Sequence, residues 1–442
     1  MFEAVHEHIS FADIPGLQNM DAIFTACRIG PDRDIIDVID FSRKSIGRWS
    51  MPRIKIPHAV ESLRQNIPVE KLPPGITCYE AYCNDHLMRP HVAHLSRDGR
   101  LYLCLSDNYN GFCVAMIDTK NGNGYLFPED FDQNLRYYTS TGNLTSAGSC
   151  LFIRWPFVDT AHNLHLRFES VRCEIGMISS DVRQCEIVYA LESHDKIHQV
   201  ACSRSGRYIV FSSFKWDLNV PYPSVTVKDD PEGYRKSHFS GIKTEEIVTV
   251  DLQNRRHWRT EITTPVPAHF EFDPVDQDVF YLSAHNMCPA AGGLILEGPA
   301  AIYKMRIQEG STVIEGKYTD NTFFRARQHV LFVYKGHTLI AATNFPNYLD
   351  IIDAETMSLW RRIELFSAPS LDFTATGNAL CPLYPETCFY INPASGGRYL
   401  ILGSSKCFSV YDLDCDRLLD VNVPLYLPDG FHDVGHTRSM GE

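Results

Sequence analysis

Short segments of alternating apolar and polar residues recur along the whole chain, and helical periodicity is scarce. In each segment the alternation leads to a turn rich in Asp, Asn, Ser or Gly and then to a second short strand, which is typical of a β-hairpin. We find this hairpin pattern seven times. The copies begin at Asp34, Phe112, Cys173, Glu245, Ala301, Tyr348 and Cys407.

A second pattern, consisting of a strand, a tight turn and another strand, precedes most of these copies. It predicts the inner half of a four-stranded unit, with the first hairpin pattern as the outer half. Seven such units predict an all-β, seven-bladed β-propeller with blades of four antiparallel strands, in one domain spanning residues 1–442. The clear inner copies begin at His91, His198, His269, His329 and Phe389, and a weaker copy begins at Tyr138.

The two chain ends and two insertions complete this prediction. No inner strand precedes the first copy, and the C-terminal segment GFHDVGHTRSM is a candidate to fill that place and close the ring. Alternatively, the N-terminal segment MFEAVHEHISF forms an outer strand of the last blade.

Insertions lie near residues 50–88 and 215–243. Loops of this length are either functional, for example as a cap, or solvated excursions without a role.

Composition and charge exclude several partners. The formal net charge of −13 argues against nucleic acid or an anionic membrane as a partner, because both require an excess of Lys and Arg. The chain start does not resemble a secretory signal, and no apolar run is long enough to span a bilayer. We therefore expect a cytoplasmic protein. The 14 cysteines show no CxxC spacing, which favours reduced core residues over a zinc site.

Four histidines fall at the beginning of predicted inner strands: His91, His198, His269 and His329. Because all inner strands of a propeller start at one end of the channel, these imidazoles are predicted to converge. Such a cluster could bind a divalent transition metal (Mn, Fe, Zn or Cu) and leave coordination positions for water and substrate. The alternative is that they are ordinary rim residues. His432 joins the cluster if the C-terminal closure is correct, whereas His285 is expected at the opposite end.

Three cations precede these histidines by two residues: Arg89, Lys196 and Arg327. Since strand residues two apart share a face, each cation is expected beside its histidine. In an acidic chain, several cations at one mouth would bind a carboxylate or phosphate and act as the catalytic residues on a small anionic substrate. Alternatively, they pair with nearby acids such as Asp195.

Two inner copies, HVAHLSRDGRLYLCLSD and HQVACSRSGRYIVFSS, resemble the H-x-x-x-S-x-D-G hairpins of TolB-like propellers. The stretch AHFEFDPVDQDVFYLSAHN, followed by AIYKMRI, is similar to oligogalacturonate lyases, which are seven-bladed propellers with an axial manganese that acidifies a uronate for β-elimination. The resemblance covers about half of the chain. It implies ligand roles for His269 and His329, with Gln328 beside them and His198 as a further candidate.

This sequence also departs from that family. The fifth-blade turn is DPVDQD, the sixth is VYKGHT, and the last inner copy carries no histidine. The architecture and an axial metal are therefore carried over, but the substrate is not. The leading hypothesis is a metal-dependent, lyase-like enzyme that catalyses elimination or isomerisation of a small anion. One alternative is a non-catalytic propeller scaffold that binds a protein or peptide, and another is a Cu or Fe oxidase or oxygenase that uses the same histidines.

Overall fold

The structure is a computed structural model of the 442-residue chain. It describes a part of the chain that consists almost entirely of short antiparallel strands, and the described residues contain no helix. The described residues are 2–12, 17, 20–21, 23–29, 33–52, 89–96, 99–107, 111–127, 137–139, 143–156, 170–180, 184–194, 196–216, 242–243, 246–290, 293–296, 298–324, 328–369, 379–382, 384, 386–394, 396–404 and 408–420.

Seven antiparallel sheets form the blades, as the repeat pattern predicts. In the first two blades, short N-terminal strands add to sheets built by later parts of the chain. The first blade, in the order β2-β5-β4-β3, contains β2 (Val5–Ser10), β3 (Ile23–Ile29), β4 (Arg33–Asp40) and β5 (Ser45–Pro52). The second contains β6 (Arg89–Leu95), β7 (Arg100–Asp107), β8 (Gly111–Asp118) and β9 (Asn123–Phe127), with β1 (Phe2–Glu3) paired to β9. The third contains β10 (Tyr137–Thr139), β11 (Asn143–Leu144), β12 (Cys150–Pro156), β13 (Ser170–Ile178) and β14 (Cys185–His194).

The last four blades keep the order inner to outer along the chain. The fourth contains β15 (Lys196–Cys202), β16 (Tyr208–Trp216), β18 (Glu246–Asp251) and β19 (Arg256–Glu261), with β17 (Ile242–Lys243) paired to β16. The fifth contains β20 (Pro267–Phe272), β21 (Val279–Ala284), β24 (Ala301–Gln308) and β25 (Ser311–Tyr318). The sixth contains β26 (His329–Tyr334), β27 (His337–Asn344), β28 (Tyr348–Asp353) and β29 (Ser358–Glu364). The seventh contains β31 (Cys388–Ala394), β32 (Tyr399–Ser404), β33 (Phe408–Asp412) and β34 (Arg417–Asp420).

An eighth, smaller sheet lies outside the blades. Its strands are β22 (Met287–Ala290), β23 (Gly293–Leu296) and β30 (Ala379–Pro382), in that order. The first two strands interrupt the fifth blade, and the third lies in the connection between the sixth and seventh blades. The repeat pattern in the sequence does not predict this sheet.

Apolar side chains fill the spaces between neighbouring blades and close the ring. In one buried cluster, Ile39 and Ile46 of the first blade lie with Tyr390, Ile401 and Val410 of the seventh. Similar clusters join the second blade to the third and each later pair of neighbours up to the seventh. Burial of this apolar area stabilises the ring by about 25 cal/mol per Å².

Five of the described hairpin turns share one construction, which explains the acidic residue in the repeat. An Asp at the end of the first hairpin strand accepts backbone N–H groups of the turn, and the fourth turn residue has a positive φ. At Asp353 the donors are Glu355 N at 3.0 Å and Thr356 N at 2.8 Å, and Met357 has a φ of 52°. The same Asp acceptor and positive φ occur at Asp40 with Lys44, Asp118 with Gly122, Asp251 with Arg255, and Asp412 with Asp416.

In two blades an arginine ties this turn to the inner hairpin. Arg207 donates to Asp251 through Nη2 at 3.0 Å, and Arg398 donates to Asp412 through Nη2 at 2.8 Å. Each guanidinium also lies over the following tyrosine ring, with 4.6 Å from Arg207 to the Tyr208 centroid. The G-R-Y segments of the sequence therefore have a structural role at the end of the channel opposite the inner-strand starts.

The N-terminal part of the chain differs from two expectations. Strand β3 pairs with β4 at the edge of the first blade, so the expectation that no inner strand precedes the first hairpin copy was wrong. The main strand of the N-terminal segment, β2, pairs with β5 of the first blade, from Val5 opposite Ser50 to Ser10 opposite Ser45. The alternative that placed it on the last blade was therefore wrong, and the first hairpin copy is not the outermost pair of its blade. Most of β2 is exposed, so it lacks the alternation that identifies a blade strand in sequence. The C-terminal segment, including His432, and most of the two insertions lie outside the described residues.

No helix in the described ranges is long and apolar enough to cross a membrane.

Candidate functional site: the histidine mouth

All inner strands begin at one end of the channel, which we call the mouth. His91, His198 and His269 are the third residues of β6, β15 and β20, and His329 is the first residue of β26. The backbone therefore places all four at the start of an inner strand, in blades 2, 4, 5 and 6. The side chains of His91 and His198 lie outside the described part of the structure.

Four inner strands contain a β-bulge near the mouth. The register shifts fall between Pro90 and Val92, Ile197 and Val200, Pro267 and His269, and Cys388 and Tyr390. His91 and His198 lie within two of these bulges. A bulge adds one residue to a strand and so interrupts the simple alternation of side-chain faces along it. Bulges are also enriched next to functional sites, where they redirect side chains.

His269 and His285 form a stacked pair in the fifth blade. Their ring centroids are 5.3 Å apart with an interplanar angle of 23°. His285 follows β21, which runs antiparallel to β20 and returns to the mouth. The expectation that His285 lies at the opposite end of the ring was therefore wrong. The signal was present in the sequence, because the second strand of an inner hairpin always ends where the first begins.

The histidines of blades 5 and 6 face the same interface. Phe270 and Phe272 pack towards the fourth blade, so strand alternation directs His269 towards the sixth. Leu331, two residues after His329, packs in the cluster between blades 5 and 6. His329 thus faces the fifth blade.

Most of this polar group is shielded from solvent. His329 is 3% exposed and His285 is 2% exposed, whereas His269 is half-buried. Ser283, which pairs with His269 in the strand register, is fully buried. The three imidazoles therefore occupy the interface of two adjacent blades, with His269 the nearest to solvent.

Gln328 connects this site to the seventh blade. Its backbone N–H donates to Thr343 Oγ1 at 3.1 Å, and its side-chain oxygen accepts the N–H of Ile391 at 2.6 Å. The side-chain oxygen of Gln328 therefore joins the sixth blade to the seventh. Its place beside metal ligands, which the lyase resemblance implies, stays a prediction.

A buried ion pair fixes the segment that leads into β26. Asp350 is fully buried and accepts Nε and Nη2 of Arg362, each at 2.7 Å. It also accepts Tyr318 Oη at 2.8 Å, and burial together with the charge of Asp350 raises the pKa of Tyr318. Asn344 donates to the same carboxylate and accepts Phe324 N at 3.1 Å. The connection before His329 is thereby tied to the body of the sixth blade.

The residues described at the mouth fit a metal centre only in part. Imidazole nitrogens are suitable donors for the divalent ions considered above. However, within the described ranges no group of three or more His, Cys, Asp or Glu side chains is arranged to hold a metal ion. A complete set would need His91 of the second blade or His198 of the fourth.

The predicted cations are placed only by their backbone. Arg89 and Lys196 are the first residues of β6 and β15, at the mouth. Their side chains, and the whole of Arg327, lie outside the described residues. Their role in anion binding stays a prediction.

The small eighth sheet, which we call the cap sheet, is attached at the same end. Strand β22 begins at Met287, two residues after His285. The backbone N–H groups of His285 and Asn286 donate to Val266 and Pro265 at 3.0 and 3.1 Å, and Asn286 Nδ2 donates to the Pro299 carbonyl at 3.2 Å. These bonds fix both ends of the segment that contains β22 and β23. Pairing of β23 with β30 then connects the fifth blade to the segment that precedes the seventh.

Comparison with known proteins gives no family assignment. No family model matches the chain, and no curated protein matches it. Similar solved structures include hydrazine synthase from Kuenenia stuttgartiensis, with 11% identity, a TM-score of 0.44, and coverage of 74% of this chain and 77% of that chain. The β-propeller domain of Cps50 (Swd1) from Myceliophteria thermophila has 10% identity, a TM-score of 0.45, and coverage of 90% and 99%. A prolyl endopeptidase has 13% identity, a TM-score of 0.43, and coverage of 84% and 47%, so this chain spans about half of that protein. Identities of 10–13% with TM-scores of 0.43–0.45 have no bearing on function. The resemblance to TolB-like propellers and oligogalacturonate lyases rests on the sequence motifs alone.

Proposed function

We propose that the protein is a metal-dependent enzyme that acts on a small anion at the histidine mouth. One observation supports the proposal. His269 and His285 of the fifth blade face the same interface as His329 of the sixth. This interface lies at the channel end where β6, with His91, and β15, with His198, also begin. Imidazoles that are shielded from solvent are suited to a divalent transition metal. A bound metal would polarise a carbonyl or carboxylate, or generate hydroxide from water.

The chain's own residues would bind and orient the substrate. Arg89, Lys196 and Arg327 stand at or just before inner-strand starts and would hold the anionic group, since the net charge of the chain is −13 and only a local cation group favours an anion. Acidification of a proton next to the bound carboxylate fits elimination or isomerisation. The bulges at His91 and His198 support the proposal because they redirect side chains at this end of the ring.

Elemental analysis of protein purified without a histidine tag tests the proposal. We expect close to one equivalent of Mn, Fe, Zn or Cu, and loss of most of it in a His269→Ala, His329→Ala double variant. His257, which lies on the outer strand β19, provides the matched control: His257→Ala should keep its metal. Less than about a tenth of an equivalent, unchanged after incubation with each metal, would overturn the proposal.

A non-catalytic scaffold is the second candidate, and a specific observation favours it. No three ligand side chains are grouped within the described ranges, so the three imidazoles could serve only to fill an interface between blades. In that case the protein is metal-free, and its melting temperature does not respond to added metal, because only a ligand that binds the folded state raises it. Finding Cu or Fe instead of Mn or Zn would favour an oxidase or oxygenase.

A further inference from the structure

Two residues beside the stacked imidazoles have an unusual backbone conformation. Val266 has a φ of 62° and Asn286 has a φ of 45°. Asn tolerates this left-handed region, but a β-branched residue such as Val is a genuine outlier there, because its side chain crowds the backbone. The other non-glycine residues with a positive φ in the described ranges lie in hairpin turns, where it is ordinary: Lys44, Arg255, Lys335, Met357 and Asp416.

Backbone hydrogen bonds join these two residues across the mouth end of the fifth blade. The N–H of His285 donates to the carbonyl of Val266 at 3.0 Å, and the N–H of Asn286 donates to the carbonyl of Pro265 at 3.1 Å. One segment leads into β20 and the other leaves β21. The two bonds therefore close the inner hairpin that carries both stacked imidazoles.

Further hydrogen bonds hold each of these segments in place. Thr264, two residues before Val266, is buried, its N–H donates to Tyr303 Oη at 3.0 Å, and its hydroxyl lies 2.7 Å from the same oxygen. On the other segment, Asn286 Nδ2 donates to the Pro299 carbonyl at 3.2 Å. Both partners belong to β24 or to the residues just before it. A strained conformation persists only where the surrounding structure fixes it in this way.

Strained backbone clusters at functional sites, where it holds a side chain in a required position. Val266 is three residues before His269, and the bulge of β20 lies between them. We propose that Val266 and Asn286 are positioning residues, whose left-handed backbone fixes the stack of His269 and His285 in the arrangement that binds the metal. The inference rests on the proposed function for the identity of the ligand, and it adds two residues to that site.

Substitutions at these positions separate backbone conformation from other effects. Val266→Gly relieves the strain but also frees the segment to adopt other conformations. Val266→Asn is the rescue variant, because Asn tolerates a positive φ without the freedom of Gly. Asn286→Gly relaxes the other segment and should act as Val266→Gly does. Lys44→Gly is the matched control, since Lys44 has a φ of 50° but is exposed in a hairpin turn of the first blade.

Hydrogen–deuterium exchange at the C2 position of imidazole, followed by mass spectrometry, measures the positioning without any metal. His285 is 2% exposed, so its exchange should be slow in the unsubstituted protein. We expect Val266→Gly and Asn286→Gly to accelerate it several-fold, and Val266→Asn and Lys44→Gly to leave it unchanged. His257 on the outer strand β19 is the internal reference, and its exchange should be the same in all variants.

Equilibrium dialysis with Mn²⁺ and with Zn²⁺ measures the consequence for binding. Loss of a group that orients metal ligands typically lowers metal affinity by about 10–100-fold. Val266→Gly should therefore bind the more tightly held of the two ions at least about tenfold more weakly. Val266→Asn and Lys44→Gly should bind it as the unsubstituted protein does.

Three results would overturn the inference: unchanged exchange of His285 in Val266→Gly, equal acceleration in Val266→Gly and Val266→Asn, or faster exchange with unchanged metal affinity. Metal content separates this from the proposed function. A metal-free protein in which the two glycine variants alone accelerate the exchange contradicts the metal-dependent enzyme and retains the positioning of the stack. A protein that binds metal but responds in neither measurement does the opposite.

Discussion

The rings of His269 and His285 stack with their centroids 5.3 Å apart, although His269 lies on β20 and His285 follows the end of β21 in the fifth blade. The stack shows how an inner hairpin brings both of its ends to the mouth. His329 of the neighbouring blade faces the same interface, so the imidazoles lie between two adjacent blades. The sequence predicts one histidine per blade, directed at the axis. In the fifth blade, the second strand of the inner hairpin leads to a further histidine, His285, at the same end.

The buried pair of Asp350 and Arg362 should be a major contributor to stability. Asp350→Asn removes the charge that balances the guanidinium, so we expect the free energy of unfolding to fall by about 3 kcal/mol. Tyr318→Phe removes one hydrogen bond to the same carboxylate and should cost about 1 kcal/mol. Urea denaturation measures both values. Equal losses in the two variants would contradict the assignment of the ion pair as the dominant interaction.

Asp412 should contribute to the acid sensitivity of the fold. The guanidinium of Arg398 and backbone donors of the turn lower the pKa of Asp412 to about 2 in the folded protein, against about 3.9 in an unfolded chain. A lowered folded pKa means that the stabilisation is complete above pH ~4 and is lost as the pH falls from about 4 to about 2. Asp412→Asn should therefore reduce stability at pH 7 and flatten the decline between these values. The exposed Asp278 supplies the control: if Asp278→Asn flattens the decline equally, Asp412 has no special role.

Two adjacent glycines in the seventh blade should respond differently to alanine. Both have positive φ, 62° at Gly396 and 78° at Gly397. A Cβ on Gly397 would lie 2.2 Å from the carbonyl oxygen of Val333 in the sixth blade, whereas a Cβ on Gly396 meets nothing within 4 Å. Gly396→Ala should cost about 1 kcal/mol from backbone strain alone. Gly397→Ala should cost at least about 2 kcal/mol more, because two backbones must separate. Thermal or urea unfolding of both variants decides this, and similar losses would contradict the close approach of the two blades.

The repeat could be predicted from sequence because its signals are local. The Asp that ends a hairpin strand and the G-R-Y segment that begins one are recognisable in the sequence, and Asp251 and Arg207 are bonded to each other in the structure. The N-terminal strand β2 could not be placed, since its exposed residues carry no alternation and its partner β5 is distant in sequence.

The site was predicted less completely for similar reasons. The positions of all four histidines followed from the strand starts, but the bulges at His91 and His198 could not be recognised without the partner strands. The cap sheet depends on pairing between Leu294 and Cys381, which are separated by the whole sixth blade. Long-range pairing of this kind leaves no local signal in either segment.

The most direct test of the histidine mouth is an anomalous-difference map from crystals grown with manganese or zinc and measured at the absorption edge of the metal. The account predicts one dominant peak about 2.0–2.2 Å from imidazole nitrogens at the mouth, with His269 or His329 among the ligands. A map without a peak at the mouth, or with its only strong peak on the outer surface, would contradict it.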